Sequence, residues 1–215
     1  MRSVWQIYED YRIMPNLREH QLRVAAVGNF ICDKLTVPVD TKLTIETCLF
    51  HDMGNIIKLD LSYFPEFNTP EGRDYWEEVK QGYIKKYGTD ARDGNFLIAK
   101  ELKLEPKVID GIDRIGFSKL SETLKSGTLE NKICDYSDMR VTPHGITSID
   151  ERLSDGKKRY LNKKGSFMIP EYEILVDALR EIERQISEMA KIMPGDINDQ
   201  SIAGYVEKLR NYRLV

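Results

Sequence analysis

An all-α helical bundle is what this sequence predicts, on three observations. Two long segments place their core-facing positions at gaps of three and four. The first runs through Leu17, His20, Val24, Val27, Ile31 and Leu35, and the second through Tyr172, Leu175, Leu179, Ile182, Ile186, Met189 and Met193. Strand-type alternation is scarce, and no repeat or low-complexity run interrupts the chain. Proline and glycine stand where helices start and stop, at Pro15, Pro106 and Pro194-Gly195.

Composition bounds the answer. The chain has 215 residues, 41% hydrophobic and 31% charged, which suits one folded domain with helical additions rather than a disordered chain. Its 32 basic and 35 acidic residues leave a net charge of −3, so a protein that coats nucleic acid through bulk charge is excluded. No apolar run is long enough to span a membrane, and the N-terminal MRSVWQIYEDYR lacks the apolar core of a secretory signal. Cys32, Cys48 and Cys134 are too few and too widely spaced for a disulfide framework, and each reads as a small buried hydrophobe. A cytoplasmic location is the expectation.

The elements follow in order. A helix starts at Pro15-Asn16 and runs to about Leu35, a polar break covers 38–41, and a second helix spans about Thr41–His51, with Gly54 placed to end it. Residues 60–72, DLSYFPEFNTPEG, are an aromatic, proline-containing loop, either a substrate lid or a passive connection. Helices are expected around Tyr75–Tyr87, Asp93–Leu102, Pro106–Ile115 and Leu129–Met139. Residues 142–170, rich in Gly, Ser and Lys, are expected to be irregular. A long helix, Glu171–Met193, and a short one through Ile202, Tyr205, Val206 and Leu209 close the chain. The long helix either packs on the same domain or makes a homodimer contact.

Four polar residues sit where apolar ones are expected. His20 lies on the first stripe, His51 and Asp52 interrupt CLFHDMG, and Asp135 interrupts KICDYSDM. One such residue alone reads as a satisfied core polar group; four on three helices read better as a shared cation site. Two imidazoles and two carboxylates carry charge −2, which offsets one divalent ion, and suit Mn, Fe, Co, Ni or Zn. His51 and Asp52 point about 100° apart on a regular helix, so both reach one ion only near the helix end.

The order His20, His51-Asp52, Asp135 resembles the H…HD…D signature of the HD-domain superfamily of metal-dependent phosphohydrolases. LREHQLRVAAVG is similar to the family's first ligand helix, LFHDMGNI to its HD-x-G turn and ICDYSDMRV to its final-Asp helix. The resemblance covers roughly residues 15–160. It implies an HD-domain bundle over 1–165, with the helices of 166–215 packed on it or at a dimer interface. No histidine stands between Asp52 and Asp135, where two-metal branches add them, so one divalent metal ion is implied. NIIKLD lacks the acidic pair of the ppGpp-hydrolase branch, and Asn55 stands where many relatives carry Lys or Glu.

The resemblance implies a phosphohydrolase acting on a small phosphorylated metabolite, with a nucleotide as the leading candidate. His20, His51, Asp52 and Asp135 are the expected metal ligands. Asp52 also orients the attacking water, and Asp60 is a secondary candidate base. Arg18, Arg23, Lys58 and Arg140 are the candidate phosphate contacts, with Lys58 and Arg140 preferred and Lys58 placed among the catalytic groups. His144, in a Pro-His-Gly turn, is a candidate general acid. Each of these also reads as an ordinary surface charge. Tyr63, Phe64 and Phe67 either stack on a base or belong to the core. A non-catalytic metal- and nucleotide-binding module is the second reading, favoured by Asn55. The basic run Lys157, Lys158, Arg159, Lys163 and Lys164 around Tyr160 raises RNA binding as a third, but no wider basic stripe supports it.

Overall fold

The computed structural model describes residues 2–161 and 172–214. They form eleven α-helices and one two-stranded ribbon, the all-α architecture that the stripes predict. No helix among them is long and apolar enough to cross a membrane.

Helix α2 (Pro15–Lys34) is the central pillar. Proline at its first position has no N–H to waste, and its fixed φ suits the helix start. Leu22, Val24, Ala25, Ala26, Val27 and Ile31 are wholly buried, so the helix is covered on more than one face. Helix α3 (Thr41–Phe50) crosses it, with Asp40 accepting the Leu43 N–H as cap. Helix α8 (Leu129–Met139), opened by a Thr128/Asn131 capping box, packs on both. The crossing is close because residue 28 is glycine: a Cβ there would stand 3.2 Å from Thr44 Cγ2 and 3.5 Å from Cys48 Sγ and Ser137 Oγ. Cys32, Cys48 and Cys134 are free thiols, all buried.

Around this trio lie α4 (Arg73–Tyr87), α5 (Ala91–Glu101), α6 (Pro106–Arg114) and α7 (Leu120–Ser126). Helix α6 packs on α3, and α5 packs on the 3-10 turn Asn55–Lys58. Outside residues 142–170, two helices have no counterpart in the sequence reading, α1 (Val4–Asp10) and α7. Each has seven residues, too short for a stripe to show.

The expectation of irregular structure over 142–170 is corrected in part. Val141–Thr142 pairs antiparallel with Gly145–Ile146, and α9 covers Ile149–Leu161. Its start carries a reciprocal cap: Ser148 Oγ accepts the Glu151 N–H at 3.2 Å, and Glu151 Oε2 accepts the Ser148 N–H at 3.0 Å. Ser-x-x-Glu is the signal that composition obscured. Of the basic run, Lys157 is exposed with its ammonium 5.4 Å from the centre of the Tyr172 ring; the side chains of Lys158, Arg159 and Tyr160, and Lys163 and Lys164, lie outside the described residues.

Helix α10 (Tyr172–Ala190) buries Leu175, Leu179, Ile182 and Ile186 against α7 and α8. Helix α11 (Asp199–Arg210) lies along α2. Arg140 joins these parts. Its Nε donates to Thr147 O at 2.5 Å, Nη1 to the Tyr136 hydroxyl at 2.6 Å, and Nη2 to the carbonyls of Pro194 and Ile197 at 3.0 and 3.1 Å. The first and last described segments meet where the Val4 N–H donates to Tyr212 O at 2.8 Å.

Candidate metal centre

The site forms where the end of α3 meets α2 and α8. Helix α3 stops at Phe50, and His51 is its C-cap. His51 keeps a helix-like φ of −67° and ψ of −25°, and Asp52 follows it in the turn just past the helix end, which is where both side chains can reach one ion.

His51 Nδ1 is 2.8 Å from Cys48 O. A carbonyl only accepts, so Nδ1 carries the hydrogen, and Nε2 is left to face the site. That Nε2 is buried and has no hydrogen-bond partner among the described residues. It lies 3.7 Å from Asp52 Oδ2 and 3.5 Å from Asp138 Oδ1. His20, from α2, places Nε2 at 3.7 Å from Asp52 Oδ2 and 3.0 Å from Asp138 Oδ1. The ligand atoms of His20, His51 and Asp52 all lie within 4.8 Å of one another. Bonds of about 2.0–2.2 Å from N and O donors to a divalent ion fit a group of this size.

The electrostatics point the same way. Burial drives the His51 pKa down, yet Asp52 and Asp138 outweigh it and raise the pKa to about 9. Burial pushes the Asp138 carboxyl up, and the two imidazoles overcome that push and hold it well below the usual carboxylate range. The carboxylates thus draw positive charge onto Nε2, and a divalent cation answers the same demand.

Asp135 is corrected here as the fourth member of the set. Its Oδ1 accepts the Gly116 N–H at 2.9 Å, and its Oδ2 is buried without a hydrogen-bond partner among the described residues. Asp138, one turn on along α8, meets both imidazoles instead. CDYSD offers two carboxylates three residues apart on nearly one face, and only the depth at which α8 docks on α2 decides between them. Burial raises the Asp135 pKa to about 7 against the pull of the Gly116 amide.

Amides hold the turn in place. Gln21, wholly buried beside His20, accepts the Asp52 N–H on Oε1 at 3.2 Å. Asn95, from α5, accepts the Gly54 N–H on Oδ1 at 2.6 Å. This close approach needs glycine at 54, since a Cβ would meet Asn95 N at 2.8 Å and Gly94 C at 2.9 Å. The sequence reading missed Gln21 and Asn95; Gln21's position next to His20 was the available signal. Asn55 is buried, and its Oδ1 has no hydrogen-bond partner among the described residues.

The candidate phosphate contacts divide. Lys58 is exposed and Arg23 half-buried, and neither makes a hydrogen bond or ion pair among the described residues. Arg18 is committed elsewhere, with Nε on Ile13 O at 2.6 Å and its guanidinium 5.4 Å from the centre of the Trp5 ring. Arg140 is corrected: it is buried and its donors are taken up by Thr147, Tyr136, Pro194 and Ile197. Asp60, expected as a base, accepts the Ser62 N–H and hydroxyl on Oδ1 at 3.0 and 2.5 Å. His144 is exposed, with its ring set against Phe64 and Phe67 rather than a carboxylate.

In comparison with known proteins, residues 2–90 match a family model described as HD domain. That span contains His20, His51 and Asp52 and stops short of Asp138. No curated protein and no solved structure matches the chain.

Proposed function

We propose, from the premise that this chain carries an HD domain over residues 2–90, that it is a metal-dependent phosphohydrolase cleaving a phosphoester of a small metabolite, with a nucleotide as its leading substrate. One observation carries this reading: a buried, unpartnered imidazole nitrogen, His51 Nε2, faces a second imidazole and two carboxylates. His20, His51, Asp52 and Asp138 would hold the ion. Once bound, a divalent ion lowers the pKa of a coordinated water, from about 15.7 to near 7 in favourable sites, and draws charge from a phosphoryl oxygen.

The chain's own residues do the rest. Gln21 and Asn95 fix the turn, so the Asp52 carboxylate meets the attacking water in one orientation. Lys58 and Arg23, uncommitted elsewhere, are the cations available to phosphoryl oxygens. The water oxygen forms the new bond to phosphorus, the ester P–O bond breaks, and the leaving oxygen takes up a proton.

The test is phosphate release from nucleoside mono- and triphosphates and sugar phosphates with Mn²⁺, Fe²⁺, Co²⁺ or Mg²⁺. Metal-dependent release that vanishes in His51→Ala and Asp138→Ala is expected, and no turnover of any ester with any ion overturns the reading. The second reading, a non-catalytic binding module, draws on Asn55: a carboxamide is no strong base where the resemblance leads one to expect Lys or Glu. Metal-dependent nucleotide binding without product selects it.

A further inference from the structure

The two segments that leave the ligand-bearing helix ends meet again in a cluster of rings. One follows His51 and Asp52 and carries Tyr63, Phe64 and Phe67. The other follows Asp138 and carries His144 at the tip of the Val141–Ile146 ribbon. Ring centres are 4.6 Å apart for Tyr63 and Phe64 and 5.2 Å for Phe64 and Phe67. His144 lies 6.2 Å from Phe64 and 5.9 Å from Phe67.

This cluster is not a closed core. Tyr63 is 41% exposed, His144 is exposed, and Phe64 and Phe67 are half-buried. The ring nitrogens of His144 and the Tyr63 hydroxyl have no partner among the described residues. Below the rings the loop is well tied, because Asn68 Nδ2 donates to Leu61 O at 2.8 Å. The exposed cation Lys58 stands in the sequence between Asp52 and the rings. A set of π-faces with free polar edges, on a fastened loop, suits a flat ring whose edge carries donors and acceptors.

We propose that Tyr63, Phe64, Phe67 and His144 form the subsite that receives a planar nucleobase, so that the enzyme selects phosphoesters by their aromatic ring. This rests on the hydrolytic reading above. It removes His144 from proton transfer: its ring packs on the face of the base, and the Tyr63 hydroxyl meets the base edge. Stacking on aromatic side chains contributes about 1–3 kcal/mol per base, roughly 5- to 150-fold in binding.

The experiment compares the Mn²⁺-loaded full chain on AMP and on glycerol 2-phosphate, which has no ring. Expected for the wild type is a kcat/KM at least tenfold higher on AMP. Phe67→Leu and His144→Gln keep bulk or polarity but lose the ring. Each raises KM for AMP about fivefold or more, while kcat/KM on glycerol 2-phosphate stays within twofold. Equal losses on both esters, or no loss on AMP, overturn the subsite. Failure to hydrolyse either ester sinks the hydrolytic reading instead. The subsite is then read by NMR of the Mg²⁺-loaded wild type: AMP, but not ribose 5-phosphate, shifts the His144 and Phe67 ring signals, and absence of that difference overturns it.

Discussion

A choice between two carboxylates three residues apart decides what this centre is. Asp138 faces both imidazoles, and Asp135 faces the Gly116 amide. Asp138→Ala is therefore expected to lose stoichiometric metal and Asp135→Ala to retain it, by elemental analysis of the folded variants. Asp135 makes a second prediction. Its pKa in the fold, about 7, stands above that of an unfolded aspartate, about 3.9. Between those values the native state binds more protons, so this group's contribution to stability is fullest at low pH and fades as pH rises through the window. At about 1.36 kcal/mol per unit the loss is at most roughly 4 kcal/mol. Denaturant melts of Asp135→Asn between pH 4 and 7 should lack that slope. An unchanged slope would mean that another group sets it. The same pair marks the limit of what the chain alone reveals. Its alternation of apolar and polar residues announces a carboxylate in α8, but register against α2 is a property of three packed helices.

At the scale of elements, the turn after α3 depends on contacts from helices far away in sequence. Gly54 has φ −94°, open to any residue, so space alone demands the glycine. Gly54→Ala must push backbone against backbone at Asn95 and Gly94, and a loss of at least about 1–3 kcal/mol is expected from thermal melts. Asn95→Ala leaves the Gly54 N–H without its acceptor but adds no clash. Helicity should persist while metal affinity falls about tenfold or more, measured by chelator competition, as for other supports of a metal site. The helices that carry the centre were legible within a residue or so of their ends, α2 from its stripe and Pro15 and α3 from the polar break before it and Gly54 after it. Helices α1 and α7 were not, because two turns give a period too little length to repeat. Helix α9 was hidden by the Gly-, Ser- and Lys-rich stretch in which it lies, although Ser148-x-x-Glu151 marked its start.

For the whole molecule, Arg140 links α8 to the segment between α10 and α11. The sequence placed it near the centre by proximity to Asp135, and proximity misled: the arginine turns away toward the carbonyls of Thr147, Pro194 and Ile197. Arg140→Ala strands the buried Ile197 carbonyl and withdraws a donor from the half-buried Thr147 and Pro194 carbonyls. An unsatisfied buried group costs about 1–3 kcal/mol, so a drop of at least that size and faster proteolytic release of the C-terminal helices are expected. Arg140→Lys supplies at most three of the donors, in the wrong plane, and restores little of this.

The backbone bond between Val4 and Tyr212 puts residues 4 and 212 side by side. A short peptide joining these two positions would close the helices between them into a ring, and the chain could be opened instead at an exposed turn such as Gly88. Such a circular permutant would carry the imidazole–carboxylate quartet on a rewired but equally folded scaffold, and its metal content would show whether the order of segments along the chain matters at all.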